Sequence, residues 1–190
     1  MAQAHRTPGP RAVSGQPFVF KLVLLGSGSV GAFFTKVVNV GASSLKFEIW
    51  DTAGQEKYHS VCHLYFRGTN AALLVYDVTR KDSFHKAQQW LKDLEKEVHL
   101  GDVVVMLVGN KTDLSEEREV TFEEGKEFAE SQSLLFMETS AKLNHQVSEV
   151  FSAVAQELLQ REVREAQAPQ GDAAMVLNEG PTWQAKCCAH

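Results

Sequence analysis

Asn110-Lys111-Thr112-Asp113 follows the apolar run Val103–Val108. A carboxylate at Asp113 can accept two hydrogen bonds, from the N1–H and the 2-amino group of guanine, a pair that adenine does not offer. Asn110 can tie neighbouring loops together, and Lys111 can lay its aliphatic stem over the base. Thr139-Ser140-Ala141-Lys142 ends the next apolar run and supplies a backbone N–H at Ala141 for guanine O6. Earlier in the chain, Asp51-Thr52-Ala53-Gly54-Gln55 leaves the run Leu45–Trp50. There Asp51 can help hold Mg²⁺, Gly54 can offer its N–H to a terminal phosphate, and Gln55 can orient an attacking water. A capped strand-to-helix turn uses Asp and Gly just as readily, so each stretch gains weight only from the others.

A fourth stretch is incomplete. Gly26-Ser27-Gly28-Ser29-Val30-Gly31 has the G-x-x-x-x-G spacing of a phosphate-cradling loop, yet Ala32 and Phe33 stand where Lys and Ser/Thr should finish it. Gly26, Gly28 and Gly31 also fit the G-x-G-x-x-G dinucleotide fingerprint. That fingerprint needs a helix after its third glycine, to set the pyrophosphate on the helix N-terminus. Phe33–Val38 is aromatic and β-branched, a strand former, so the fingerprint is rejected.

The elements that would position these residues alternate. Lys21–Leu25 is a short buried strand ending at glycine. Phe33–Val40 and Leu45–Trp50 form a hairpin about a turn at Gly41–Ser44. After the apolar run Ala71–Tyr76, apolar residues at Phe84, Ala87, Leu91, Leu94 and Val98 keep helical spacing. Thr121-Phe122-Glu123-Glu124 has capping-box spacing and predicts a helix to about Ser131. Leu134–Thr139 is the last strand, and Val147, Val150, Phe151, Val154 and Leu158 mark the last helix. The expected fold class is α/β, a three-layer arrangement with a mostly parallel sheet, and ligands in such sheets bind at the carboxyl ends of the strands. All four polar stretches sit there.

The bulk properties are those of one domain. With 24 acidic against 19 basic residues the formal net charge is −5, which argues against nucleic acid as a partner. No apolar run approaches a membrane span, and Met1–Pro17 lacks the apolar segment of a signal peptide. Cys62, Cys187 and Cys188 make no disulfide framework, which fits a cytosolic protein. In that compartment the sequon Asn110-Lys111-Thr112 is not a glycosylation site, and Cys62 reads as a helix residue. Residues 18–165 are expected to form the domain, between disordered segments at 1–17 and 166–190.

The chain resembles a Ras-superfamily small GTPase, and within it the Rab family. The resemblance rests on Trp50-Asp51-Thr52-Ala53-Gly54-Gln55-Glu56, Tyr65-Phe66-Arg67-Gly68, the Asn110–Asp113 and Thr139–Lys142 stretches, and the two adjacent cysteines near the end. It spans roughly Lys21 to Gln160 plus the terminus. It implies a P-loop GTPase fold, GTP or GDP with Mg²⁺ as cofactors, and a role as a switch in vesicle traffic. Exchange factors, activating factors, effectors and the prenylation machinery are the implied partners. In that family Cys187 and Cys188 would carry geranylgeranyl groups. Two lipids anchor stably where one does not, so the implied location is cytoplasmic, with reversible attachment to the cytosolic face of endomembranes, endosomal ones among them.

Against the family pattern, on the order of twenty residues are absent after Gly31, enough for a helix and its loop. They would have carried the phosphate-binding Lys, the hydroxyl that holds Mg²⁺, and the first switch. Thr35 and Lys36 lie inside the strand pattern and do not replace them. Nucleotide binding and hydrolysis are therefore expected to be impaired. The alternative is a nucleotide-deficient form that only engages partners or is unproductive. The sheet should also carry a bare patch where the lost helix packed.

Overall fold

The computed structural model describes residues 17–26, 32–51 and 65–167. Ser27–Gly31, Gly54, Gln55, Cys62, Cys187, Cys188 and nearly all of both terminal segments lie outside the described residues. Six strands, β1 (Phe18–Gly26), β2 (Ala32–Val40), β3 (Ser43–Asp51), β4 (Ala71–Asp77), β5 (Val104–Asn110) and β6 (Leu135–Glu138), form one sheet in the order β2-β3-β1-β4-β5-β6. Every pairing is parallel except the β2–β3 hairpin. The expected mixed α/β fold with a mostly parallel sheet is what forms.

The hairpin turn is shorter than expected. Val40 pairs directly with Ser43, so Gly41 and Ala42 alone make the turn, and both serines belong to β3. Gly41 takes φ +58 at the first turn position, which glycine adopts without steric cost.

Among the described residues, three helices of ten or more residues cover the sheet. In α1 (Lys81–Glu97), Phe84, Ala87, Leu91 and Leu94 make the buried stripe, and Val98 packs half-buried against the same core just past the helix end, its N–H donating to Leu94 O. In α2 (Phe122–Ser131), the capping box forms. The Glu124 N–H donates to Thr121 Oγ1 at 3.1 Å, and the Thr121 N–H donates to Glu124 Oε2 at 2.9 Å. Helix α3 (Val147–Gln167) buries Val150, Val154, Ala155 and Leu158, and it runs past the Glu165 boundary expected from composition.

The central strands are apolar on both sides, as parallel strands covered on both faces must be. Val23, Leu25, Leu74, Tyr76 and Leu107 pack with α1 on one face. Phe20, Leu22, Phe47, Ile49, Leu73 and Met106 pack with α3 on the other. On the α3 face the bare patch is narrow: Phe34 is 45% exposed, and Leu24 and Val75 are half-buried beside it.

One buried position is tightly fixed. The Tyr76 hydroxyl is buried without a hydrogen-bond partner among the described residues, wedged where Gly109 and Gly125 lack side chains. A Cβ on Gly125 would stand 2.5 Å from Tyr76 Oη and 2.9 Å from the Phe136 ring. Gly125→Ala should thus lose about 1–3 kcal/mol to overpacking, more than the roughly 1 kcal/mol that alanine gains in a helix. Tyr76→Phe should recover part of that loss, and on its own should stabilise by about 1 kcal/mol by removing an unpaired buried hydroxyl. Urea denaturation of the two single variants and the double variant measures all three changes.

Candidate functional site

The strand register brings the polar stretches to one edge of the sheet. Leu24 of β1 aligns with Asp51, Gly26 with Val75, and Asp77 with Asn110. Gly26, Asp51, Asp77 and Asn110 therefore end neighbouring strands, with Thr139 and Ser140 just beyond β6. The sequence places them by one rule: each follows an apolar run long enough to cross the sheet once.

Asn110 joins the last two of these ends. Its Oδ1 accepts from the Ala141 N–H at 3.0 Å and from Thr139 Oγ1 at 3.4 Å. Backbone bonds run alongside, from Thr112 N to Thr139 O and from Thr139 N to Gly109 O. The Ala141 N–H, expected to face guanine O6, is thus engaged by Asn110 in this structure. Asn110 is a polar group one strand away whose amide oxygen reaches the same donor.

Asp113 is held in place rather than left to rotate. Ser140 Oγ donates to its Oδ1 at 2.6 Å, and Lys142 Nζ stands 3.9 Å from its Oδ2. Ser140 in turn accepts from the Leu143 N–H at 3.1 Å. The carboxylate is 9% exposed while the Lys142 side chain is 76% exposed, so the ammonium lies over the rim. A planar, edge-on carboxylate of this kind can accept a paired donor set such as guanine N1–H and N2–H.

Lys111 carries the one non-glycine left-handed conformation within the Asn110–Asp113 stretch, φ +71. Lysine seldom adopts it, and such backbone is kept where surrounding structure over-determines it. Part of that constraint is Asp77, whose Oδ2 accepts from Lys111 Nζ at 2.6 Å. Asp77 also takes the Thr79 N–H at 2.9 Å and Thr79 Oγ1 at 2.7 Å on its other oxygen. The Asp77 backbone is fixed as well, its N–H donating to Ser83 Oγ while that hydroxyl donates to Arg80 O. Asp77 was not among the residues singled out from sequence. The signal was present, since it ends the run Ala71–Tyr76 as Asp51 and Asn110 end theirs.

Burial would raise the Asp77 carboxyl, but the Lys111 ammonium and the Thr79 donors more than offset this and hold it below the usual aspartate range. The folded state thus binds this proton more weakly than the unfolded chain. Its stabilisation is fully present above the unfolded pKa of about 3.9 and is lost as pH falls through the folded value. Asp77→Asn should cost about 1 kcal/mol at neutral pH, a modest figure because the Lys111 side chain is 50% exposed. The difference between variant and parent should shrink in acid, which denaturation across a pH series will show.

The other end of the sheet edge presents aromatic rings. Phe33 of β2 meets Trp50 of β3 edge-on at 4.9 Å, and Trp50 meets Tyr65 at 6.0 Å. Lys21 Nζ sits 5.4 Å over the Trp50 ring and donates to Arg67 O at 2.9 Å. Phe33 is 54% exposed, unusual for a ring so placed. This row is invisible to a sequence scan, because its members come from three separate segments.

A Ras family model matches residues 27–160. The chain belongs to the Ras family. It is similar to human Ras-related protein Rab-17, with 74% identity over the whole of both chains, and to mouse Ras-related protein Rab-17, with 65% identity over the whole of both. It is therefore a Rab-type small GTPase of membrane traffic. The human alignment spans 212 positions against 190 residues, so at least 22 positions have no counterpart in this Rab. That shortfall has the length of the helix and switch expected after Gly31.

Guanine nucleotide and Mg²⁺ are the ligands this family implies, and the residues present fit them by half. The base half is built: Asp113 oriented by Ser140, Lys111 by Asp77, and Asn110 by Ala141 and Thr139. The phosphate and metal half is not, since neither Lys nor Ser/Thr follows Gly31 and only five residues separate β1 from β2. Asp51 remains at the end of β3, where it could contribute to a metal site.

Proposed function

We propose that this Rab retains a guanine-reading pocket without a working phosphate grip, and that it acts through protein partners and its tail more than through a nucleotide cycle. The observation that carries this is the passage from Gly31 directly into strand β2. Charge-assisted hydrogen bonds contribute roughly 1.5–3 kcal/mol each, and the phosphate-loop Lys and Mg²⁺-binding hydroxyl supply several of them. Gln55 then has no aligned phosphate for a water to attack, so hydrolysis fails with binding. Gly26, Ser27, Gly28, Ser29, Val30 and Gly31 keep the first half of the cradle, and Gly54 a possible phosphate contact. The base contacts fall to Asn110, Lys111, Asp113, Ser140, Ala141 and Lys142.

Effectors would meet the Phe33–Trp50–Tyr65 row, whose rings are large, rigid and partly open to solvent. Geranylgeranyl groups on Cys187 and Cys188 would attach the chain to the cytosolic face of endomembranes, including endosomes. The tail holds few basic residues, so lipid rather than charge supplies that anchorage. The test is the nucleotide content of the freshly purified chain after denaturation. Less than about 0.1 mole of guanine nucleotide per mole is expected for a complex too weak to survive purification. A stoichiometric complex overturns the reading.

A further inference from the structure

Strand β2 stands at the edge of the sheet, and among the described strands it pairs only with β3. It is nine residues long, Ala32-Phe33-Phe34-Thr35-Lys36-Val37-Val38-Asn39-Val40, with no proline and one charge. Natural edge strands are usually short, charged or interrupted, because an open row of N–H and C=O groups recruits another strand. This one instead exposes apolar side chains on both faces: Phe33 at 54% and Val37 at 58% on the Trp50 face, and Phe34 at 45% on the α3 face.

We propose that β2 pairs with β2 of a second copy of this chain, antiparallel about a two-fold axis at Thr35, to give one continuous sheet across the dimer. The parity of a strand restricts the choice. Residues opposite each other across such an axis must point to the same face, so the axis passes through a residue pair and never between residues. Centring on Lys36 gives the longest overlap but sets ammonium against ammonium, which is destabilising. Centring on Val37 leaves the exposed Phe33 outside the pairing. Centring on Thr35 places Phe33 against Val37 twice, covering the two most exposed large apolar side chains of the strand with one another. It also places Phe34 beside Lys36 twice, next to an ammonium already stacked 5.2 Å from the Phe151 ring.

The pairing closes at two copies. The opposite sheet edge, β6, is only four residues long and has Glu138 bound to Arg118 at 2.6 Å. An isologous contact of this kind therefore makes dimers and not fibres. Because Phe33 is covered in the dimer, the aromatic row is whole only in the monomer.

The full chain should sediment at twice 21.1 kDa with a dissociation constant of roughly 1–100 μM, as suits a contact smaller than a standard interface. Val37→Lys should weaken the dimer at least about tenfold, while Leu143→Lys, equally exposed but on another surface, should leave it unchanged. In a background with Cys62, Cys187 and Cys188 changed to Ser, a one-carbon bifunctional thiosulfonate should crosslink Thr35→Cys to itself, since directly opposite Cβ atoms lie about 4.5–5.5 Å apart, just beyond a disulfide's own span. Val37→Cys, opposite Phe33, should not crosslink. A parent chain monomeric at about 100 μM, an undiminished Val37→Lys dimer, or crosslinking at position 37 in preference to 35 overturns the proposal. The crosslinking pair decides the matter even where Val37→Lys does not fold.

Discussion

Inserting between Gly31 and Ala32 the Lys, the Ser/Thr, the helix and the first switch of the family pattern should tighten Mg²⁺·GTP binding by about three to six orders of magnitude. The figure follows from the bonds returned. An ammonium on the β and γ phosphates, a hydroxyl on Mg²⁺ and a switch contact restore about three charge-assisted interactions, or roughly 4–9 kcal/mol. The insertion leaves the proposed base contacts untouched, since Asp113, Lys111 and Asn110 are held by Ser140, Asp77, Ala141 and Thr139 far from it in sequence. In the restored protein the Ala141 N–H, now donating to Asn110 Oδ1, becomes available to guanine only if Asn110 turns aside or shares it. Titration with a fluorescent GTP analogue in Mg²⁺ measures the gain. A gain below about tenfold would show that the defect lies in the base pocket and not in the loop.

The same insertion should raise the unfolding midpoint by roughly 10–25 °C. The present chain exposes Phe34 and leaves Leu24 and Val75 half-covered on the α3 face. Covering two or three such side chains contributes roughly 1.5–3 kcal/mol each, about 3–9 kcal/mol in all. A domain's whole margin is about 5–15 kcal/mol, so the effect is large. It stops short of unfolding the chain because α3 still covers Phe20, Leu22, Phe47 and Ile49, which are essentially inaccessible. Thermal denaturation of the two chains without nucleotide isolates the packing contribution. Midpoints within about 3 °C of each other would show that the missing segment packs on nothing.

Most of the fold was legible because periodicity reports burial. Parallel strands buried on both faces appear as unbroken apolar runs, and helices as stripes at Phe84–Leu94 and Val150–Leu158, so the alternation itself dictated the sheet. The capping box at Thr121 and Glu124 fixed a helix start to the residue. Turn chemistry was less exact: a hairpin closed by two residues and one closed by four share the string Gly-Ala-Ser-Ser, and only strand register separates them. The residues proposed for the base half were legible as two short motifs, Asn110–Asp113 and Thr139–Lys142. Their mutual bonds were not, since the Asp77–Lys111 and Ala141–Asn110 contacts depend on which strands become neighbours. The row Phe33–Trp50–Tyr65 was hidden for the same reason. An aromatic in a strand reports burial or recognition equally well until its exposure is known.

The account stands most directly on whether the phosphates matter to this chain. Calorimetric titration with guanosine, GDP and GTP in Mg²⁺ compares the base half with the whole ligand. If Gly31 leads straight into β2 and no grip replaces the lost one, all three should bind within about tenfold of one another, and removing Mg²⁺ should change little. GTP binding about a thousandfold tighter than guanosine, and dependent on Mg²⁺, would contradict it.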